Sequence, residues 1–456
     1  MLMKRITFLV AIMLLVAFYS CQKEISHPNQ QPEDLVNAAN ANSEHGHLKQ
    51  TKEVSSDGVF KWIDIQLQMM RTSSPFIGGL PVSRVYGYTG VALYEAVVPG
   101  MPSYQSLSGQ LSGMPSMPNT MPGYAYHWGV VANATMAAMS RNFFPITSDA
   151  NKAAMKKLED SLNAIYQNEI SDAATFKRSV DRGQQVAQLI FAWAETDGYK
   201  NAQGNYTPLG AGYWAPTLPA FLAAFGPHWG ENRLMVAGSL DGSAQPAPPS
   251  YSTDPSSAYY QTVKEVYDIS QTLTPEQTAI GLFYRDNPGF GGGHYLSQFK
   301  QVLQQEQPGL DFTAFAYAKT GIAIVDAGIG CWKTKYTYNQ ERPIKYIREV
   351  LGHSGWNPLF NTPNFPDFPS GHSTLAGTFA EIMEGLFGYS YEFTDHSYDY
   401  LGMAPRTYHS FDGLAKEIGA ARVYAGIHYT YSCTAAVLQG RTIAKNVNRS
   451  LKFLKE

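Results

Sequence analysis

The sequence is short of any dominant charge. Its 34 lysines and arginines face 37 aspartates and glutamates, a formal net charge of -3. No global basic field exists to draw in a polyanion, so nucleic-acid binding has no electrostatic support. Strand-like alternation is scarce, and no repeat at solenoid periods is present. Cysteine is nearly missing, with three residues, Cys21, Cys331 and Cys433. The last two read as separate buried thiols. An oxidising compartment would allow them to pair, but nothing in their spacing brings them within bonding distance. One long apolar run occurs, Ile6 to Phe18. It is shorter than the about 20 residues a membrane-spanning helix needs.

That run carries information of its own. Lys4 and Arg5 precede it, and Tyr19, Ser20 and Cys21 end it. The layout is that of a secretory signal, and the cysteine resembles a bacterial lipobox. Residues 1–21 are therefore expected to be a signal peptide, with Cys21 left to carry lipid after cleavage. A plain signal peptide with an incidental cysteine is the alternative. The expected product is an exported lipoprotein in the periplasm or at the cell surface of a Gram-negative-type bacterium. It would touch the membrane through a lipid anchor only.

Residues 22–56 are polar, lack an apolar period and read as a flexible tether. The rest has a globular composition, 44% hydrophobic and 13% aromatic. Apolar residues recur at three- and four-residue steps from Asn151, Thr175 and Tyr259, and again in "FTAFAYAKTGIAIVDAGIGCW", "STLAGTFAEIMEGLFG", "FDGLAKEIGAARVYA" and "TAAVLQGRTIAKNVNRSLKFL". The expected fold class is all-α, one large helical-bundle domain. An N-terminal helical half (57–250) would pack on a C-terminal half (251–456). Two irregular stretches interrupt, one from about Asn201 to Ser257 and one from Gly352 to Ser370. Loops this long in a compact protein often bind or cover a ligand.

The second irregular stretch ends in "FPDFPSGHSTLAG". Ser370 and Gly371 can offer a hydroxyl and an open backbone N–H at a helix start, where an anion is favoured. Lys335 and Arg342 lie upstream, the latter before Pro343, which disfavours helix at Arg342. Arg422 and His428 lie downstream in "ARVYAGIHYTY". On one continuous helix these two would face different ways. Gly426 can end the helix and turn His428 back. Each charge alone would pass as solvated surface. Three cations, backbone donors and two histidines, His372 and His428, together form equipment for a tetrahedral oxyanion.

In "KYTYNQERP", "PSGH" and "ARVYAGIH" the sequence resembles the three signature blocks of the vanadium-dependent haloperoxidase and type 2 phosphatidic acid phosphatase superfamily. Order and spacing match across the C-terminal third. Length and helical character resemble the bacterial exported haloperoxidases. The resemblance implies that Lys335, Arg342 and Arg422 hold the oxygens of vanadate, with Ser370 and the Gly371 N–H. It implies that His428 bonds the central atom and that His372 is the acid–base residue, assisted by Lys335. Ala421 stands where members usually carry serine. Ser432 stands where many carry aspartate, so the resemblance supplies no carboxylate to orient His428.

Phosphate could occupy the same site, and two activities follow. A haloperoxidase would use hydrogen peroxide to oxidise halide to hypohalous acid, iodide first and bromide second, with a small organic acceptor or none. A vanadate-inhibited acid phosphatase would instead form a phospho-histidine on His428. Trp332 and Phe365 resemble aromatics on the halide side of haloperoxidase pockets and favour the first reading, although a single aromatic is more often core. The lack of several membrane-spanning runs argues against a lipid phosphatase within a bilayer. A third alternative is a non-catalytic surface lipoprotein that binds an oxyanion or glycan. Asp286 is open to two readings, a partner of site arginines or a surface pair with Arg285. Asp326 is likewise open, a partner of site arginines or a structural cap on its helix, and His294 reads as a loop histidine with no role, lining the entrance being the alternative. His228 has no assignable place.

Overall fold

The computed structural model describes residues 50–72, 77–290 and 293–455. Cys21, the signal segment and most of the tether lie outside the described residues. Among the described residues the fold is mostly helical, with 13 α-helices, 58% helix and 3% strand. No helix among the described residues is long and apolar enough to cross a membrane.

The order is α1 (Asp57–Thr72), α2 (Gly79–Val97), α3 (Trp128–Phe143), α4 (Asp149–Gln167) and α5 (Ala173–Ala194). A long irregular stretch leads to α6 (Ala258–Gln271), α7 (Pro275–Phe283), α8 (Gly293–Glu306) and α9 (Leu310–Tyr338). Then come α10 (Pro343–Glu349), α11 (Gly371–Phe387), a short ribbon, α12 (Phe411–Tyr424) and α13 (Thr430–Ser450). The ribbon pairs β1 (Phe393–Asp395) with β2 (Arg406–Tyr408) antiparallel, Phe393 opposite Tyr408 and Asp395 opposite Arg406.

Helices α2 and α9 form the centre. Every residue of α2 but Gly79 and Pro81 is buried, and α9 is buried on all sides for most of its 29 residues. Helices apolar all round belong inside a large core. The two cross where small residues let the backbones touch. A side chain at Gly90 would meet the Tyr317 carbonyl at 2.7 Å, and one at Gly321 would meet the Gly87 Cα at 2.8 Å. Because α9 is fixed there, its last turns are carried rigidly to the far side of the core. Helices α11 and α13 pack there, α11 against both α9 and α13.

A smaller cluster anchors the next segment. Val263 and Val266 of α6 pack with Ile344, Tyr346 and Ile347 of α10, and with Tyr429. Tyr429 also donates its hydroxyl hydrogen to the Glu341 carbonyl at 3.2 Å. The neighbours of Arg342 and His428 are thus tied together before either residue meets a ligand.

Candidate anion site

Helix ends build the site. Trp332 and Lys335 sit three residues apart near the end of α9 and so share a face. The helix stops at Asn339, which adopts a left-handed φ of 49° and bonds the Lys335 carbonyl. Arg342 follows as the extended N-cap of α10, with proline in the first turn. Ser370 caps α11, its hydroxyl accepting from the Ser373 N–H. Gly371 opens that helix. A side chain there would lie 3.2 Å from the Trp332 ring and 4.0 Å from Lys335 Cε, so only glycine leaves the helix start open.

The turn after α12 matches the sequence reading. Gly426 has φ 74°. Its N–H bonds the Val423 carbonyl at 2.8 Å, and the Ile427 N–H bonds the Arg422 carbonyl at 3.2 Å. This is the two-bond left-handed helix stop that glycine permits. It brings the chain back with His428 buried beside Arg342.

Arg342 is fully buried. Its Nε donates to the Phe365 carbonyl and its Nη1 to the Ile427 carbonyl, each at 2.8 Å. Nη1 also lies 3.0 Å from His428 Nε2. His428 Nδ1 lies 3.0 Å from Asp367 Oδ2. Arg342 Nη1 can only donate, so Nε2 is the nitrogen that keeps a lone pair and the proton falls on Nδ1, on the side of Asp367, whose carboxylate oxygens have no hydrogen-bond partner among the described residues. Burial, then the charges of Arg342, Lys335 and Arg422, hold the His428 pKa well below its ordinary value. The ring is a neutral donor at physiological pH.

Asp367 corrects one expectation. His428 does face a carboxylate, but not one four residues ahead at Ser432. It comes from the loop three residues before Ser370. Burial raises the Asp367 pKa to about 6, against the pull of Arg342 and Lys335.

Lys335 donates to the carbonyls of Pro366 at 2.8 Å and Asp367 at 2.7 Å. Burial first, and Arg342 after it, push its pKa down to about 7, with Cys331 and Asp367 opposing. Its ammonium lies 5.6 Å from the Trp332 ring centre and 5.1 Å from that of Phe365. The two rings meet at 4.9 Å. Phe225, from the long middle stretch, joins both at 6.4 Å. Its carbonyl accepts from Trp332 Nε1 and the Tyr336 hydroxyl.

On the opposite side Arg422 donates to the Tyr284 carbonyl and covers the Phe360 ring at 5.4 Å. His372 Nε2 lies 2.9 Å from Asp286 Oδ1. Both side chains are part-exposed, 24% and 35%, unlike the sealed Lys335, Arg342 and Arg422. Burial and the Arg422 charge lower the His372 pKa, and Asp286 opposes them. The open question over Asp286 is thereby answered in favour of the site, although its partner is the histidine. The Tyr295 hydroxyl donates to the His372 carbonyl at 2.8 Å.

Other candidates fall away from the site. Asp326 is buried and accepts the backbone N–H groups of Met235 and Val236, the structural of its two readings. His228 pairs with Glu231 at 2.9 Å on the exposed surface. His294 is not a loop residue, since it is buried on α8 against Asp395. Cys331 and Cys433 are free and buried. Sequence reasoning missed Asp367, Phe225, Phe360 and the Tyr284 carbonyl. Asp367 was visible between two prolines, but its partner lies in another block.

The donor set fits a tetrahedral oxyanion. Three buried cations converge, with a helix N-terminus between them. Arg342 Nη2 and Arg422 Nε are buried with no hydrogen-bond partner among the described residues. Such donors are costly unless something satisfies them.

Residues 315–455 match the family model described as the VCPO second helical-bundle domain. A bacterial vanadium-dependent iodoperoxidase crystal structure superposes with TM-score 0.80 at 29% identity, covering 89% of this chain and 98% of that one. The apo form of a bacterial vanadium-dependent chloroperoxidase gives TM-score 0.63 at 15% identity, covering 82% and 95%. The holo form gives 0.62 at 15%, covering 90% and 94%. At that identity the chloroperoxidases speak to the fold alone. A search of curated proteins finds no match.

Proposed function

We infer that this chain, which has a vanadium haloperoxidase-type fold, uses hydrogen peroxide to oxidise a halide, iodide before bromide, to hypohalous acid. The observation that carries the reading is the wall of Trp332, Phe365 and Phe225 beside the ammonium of Lys335. A large, polarisable anion suits a part-dry aromatic wall backed by buried cations, whereas a phosphate ester needs room there for its leaving group. The iodoperoxidase likeness supports iodide as the first choice.

When bound, vanadate supplies a Lewis-acidic centre that activates peroxide without changing oxidation state. In this assignment the Nε2 lone pair of His428 would hold the central atom. Lys335, Arg342, Arg422, the Ser370 hydroxyl and the Gly371 N–H would hold its oxygens. Asp367 keeps the His428 proton on Nδ1. His372 turns Nε2 to Asp286, which leaves Nδ1 to exchange protons with the site. The net reaction consumes hydrogen peroxide, halide and one proton and yields hypohalous acid and water. His372 is assigned to deliver that proton, its contact with Asp286 supporting the role. The N-terminal reading, an exported lipoprotein held through Cys21, stands on the sequence.

The test is one assay set on protein supplied with orthovanadate. Hydrogen peroxide is added with iodide, bromide or chloride, and p-nitrophenyl phosphate hydrolysis is followed on vanadate-free protein. Vanadate-dependent oxidation with iodide fastest is the expected result. Phosphate release inhibited by vanadate, without halide oxidation, would identify a phosphatase.

A pH dependence follows from Lys335. Its ordinary value is 10.5 and burial brings it to about 7, so above pH 7 the folded, anion-free protein has lost a proton the unfolded chain keeps. Stability of the anion-free fold should therefore rise from pH 7 toward 10, since the cost of a buried ammonium disappears. An anion reverses the preference and needs Lys335 charged. Sulfate, which does not titrate in this range, should bind up to about tenfold more weakly per pH unit above 7. Calorimetric titration checks this. A flat profile, or the same slope in Lys335→Met, would contradict the assignment.

A further inference from the structure

Behind the acid–base pair lies a second, sealed His–Asp pair. His294 Nε2 is 2.7 Å from Asp395 Oδ2, with side-chain exposures of 7% and 0%. Asp395 ends β1 and also accepts from Gln298 Nε2 at 2.8 Å and the Ser397 N–H at 2.9 Å. Burial alone would raise the Asp395 pKa, yet His294 and these hydrogen bonds bring it to about 2. For stability alone, apolar residues of similar volume often serve a buried polar pair's place equally well.

The pair faces the segment that carries Asp286. The His294 ring stacks on Tyr284 at 5.4 Å and 29°, and meets Tyr398 at 4.8 Å. Tyr284 gives its carbonyl to Arg422 and its hydroxyl to a network with Tyr408 and Glu417. Tyr398 stacks on Phe290 at 5.5 Å, and its hydroxyl accepts the Phe290 N–H at 3.4 Å. Residues 284 and 290 are therefore gripped from one side, and Asp286 sits between them, 2.9 Å from His372. The brace spans α8, β1 and the turn after it. Among the described residues its one link to the candidate oxyanion donors is the Tyr284 carbonyl, which accepts from Arg422.

We propose that the His294–Asp395 pair is a positioning device that fixes, through Tyr284 and Tyr398, where Asp286 meets His372. Its kinetic consequence rests on the haloperoxidase reading, but its geometric consequence does not. A second-layer partner of this kind typically changes activity by about 10- to 100-fold when lost.

The experiment uses full-length Asp395→Asn and Tyr398→Phe. Crystal structures of both are solved, and turnover per bound vanadate is measured with vanadate counted separately. In Asp395→Asn the Asp286–His372 separation should open from 2.9 Å to beyond about 4 Å, out of ion-pair contact. Turnover per loaded site should fall about tenfold or more, with iodide KM within about twofold. Tyr398→Phe should show a smaller loss in the same direction. An unmoved Asp286 overturns the proposal even if activity falls, because the loss is then one of general stability. An opened pair with unchanged turnover overturns it too. If Asp395→Asn does not fold, Tyr398→Phe decides, and wild-type geometry with wild-type turnover in it is fatal. A wild-type protein without halide oxidation would defeat the haloperoxidase reading alone. The separation, and p-nitrophenyl phosphate turnover through the same acid–base pair, would then still decide the proposal.

Discussion

Replacing His428 by alanine should cut turnover by about 1,000-fold or more while leaving the fold nearly intact. The loss is large because the assignment gives no other lone pair to the central atom. Arg342 and Arg422 are donors only, Lys335 must be charged to hold an anion, Asp367 is negative and buried, and His372 is engaged with Asp286. The Nε2 lone pair is held neutral by burial and by the surrounding cations, so it is available at working pH without a proton to displace. The stability cost should be small for a specific reason. Arg342 Nη1 and Asp367 Oδ2 already lie 3.8 Å apart, and without the imidazole they can close to a direct pair. Thermal unfolding would show a shift of a few degrees at most, and vanadium-51 spectra would show weak anion binding without a fixed central-atom bond. Retained turnover would sink the peroxidase and phosphatase readings together.

Asp367→Ala should have the second-largest effect, and mostly on stability. This carboxylate is fully buried beside Arg342, with Lys335 bonded to its own backbone carbonyl. Deleting it strands a buried guanidinium, a change that typically costs 3–5 kcal/mol, so about that loss is expected in anion-free protein. It also frees the His428 tautomer, and turnover should fall by about 10- to 100-fold. The two effects respond differently to ligand. A bound oxyanion returns negative charge to Arg342, so saturating sulfate should recover most of the stability and none of the tautomer control. Denaturant unfolding with and without sulfate measures this. An equal loss in both conditions would mean that Asp367 is only packing.

The site was legible in sequence where a local rule applied. Ser370 before a helical run, Pro343 after Arg342, and Gly426 between Arg422 and His428 each fix a backbone turn by a one-residue cause. The structure uses all three as read. What stayed hidden was anything made by two distant segments. Ser432 drew attention because it stands at a fixed step from His428, yet the carboxylate came from a loop with no register to that histidine. Phe225 lies in a stretch without periodicity, and the carbonyls that hold Lys335, Arg342 and Arg422 have no side-chain signature at all. His294 was misplaced because three glycines precede it. They end at the helix start, and the residue after them is already inside the core. The fold class was easier, since the amphipathic steps of α4, α5 and α6 declare helix residue by residue.

The glycine crossing of α2 and α9 has an evolutionary corollary. The matched stretch, 315–455, begins inside α9, after that helix has already started at Leu310. Severed at that point, the chain would keep every candidate oxyanion ligand and lose the partner that steadies the Lys335 helix. The bare backbone around Gly321 would face water instead of Gly87. Its chemistry is thus concentrated in a segment that is not a portable cassette. The isolated 315–455 stretch is therefore expected to unfold at lower temperature than the whole chain, which thermal unfolding of the two would check.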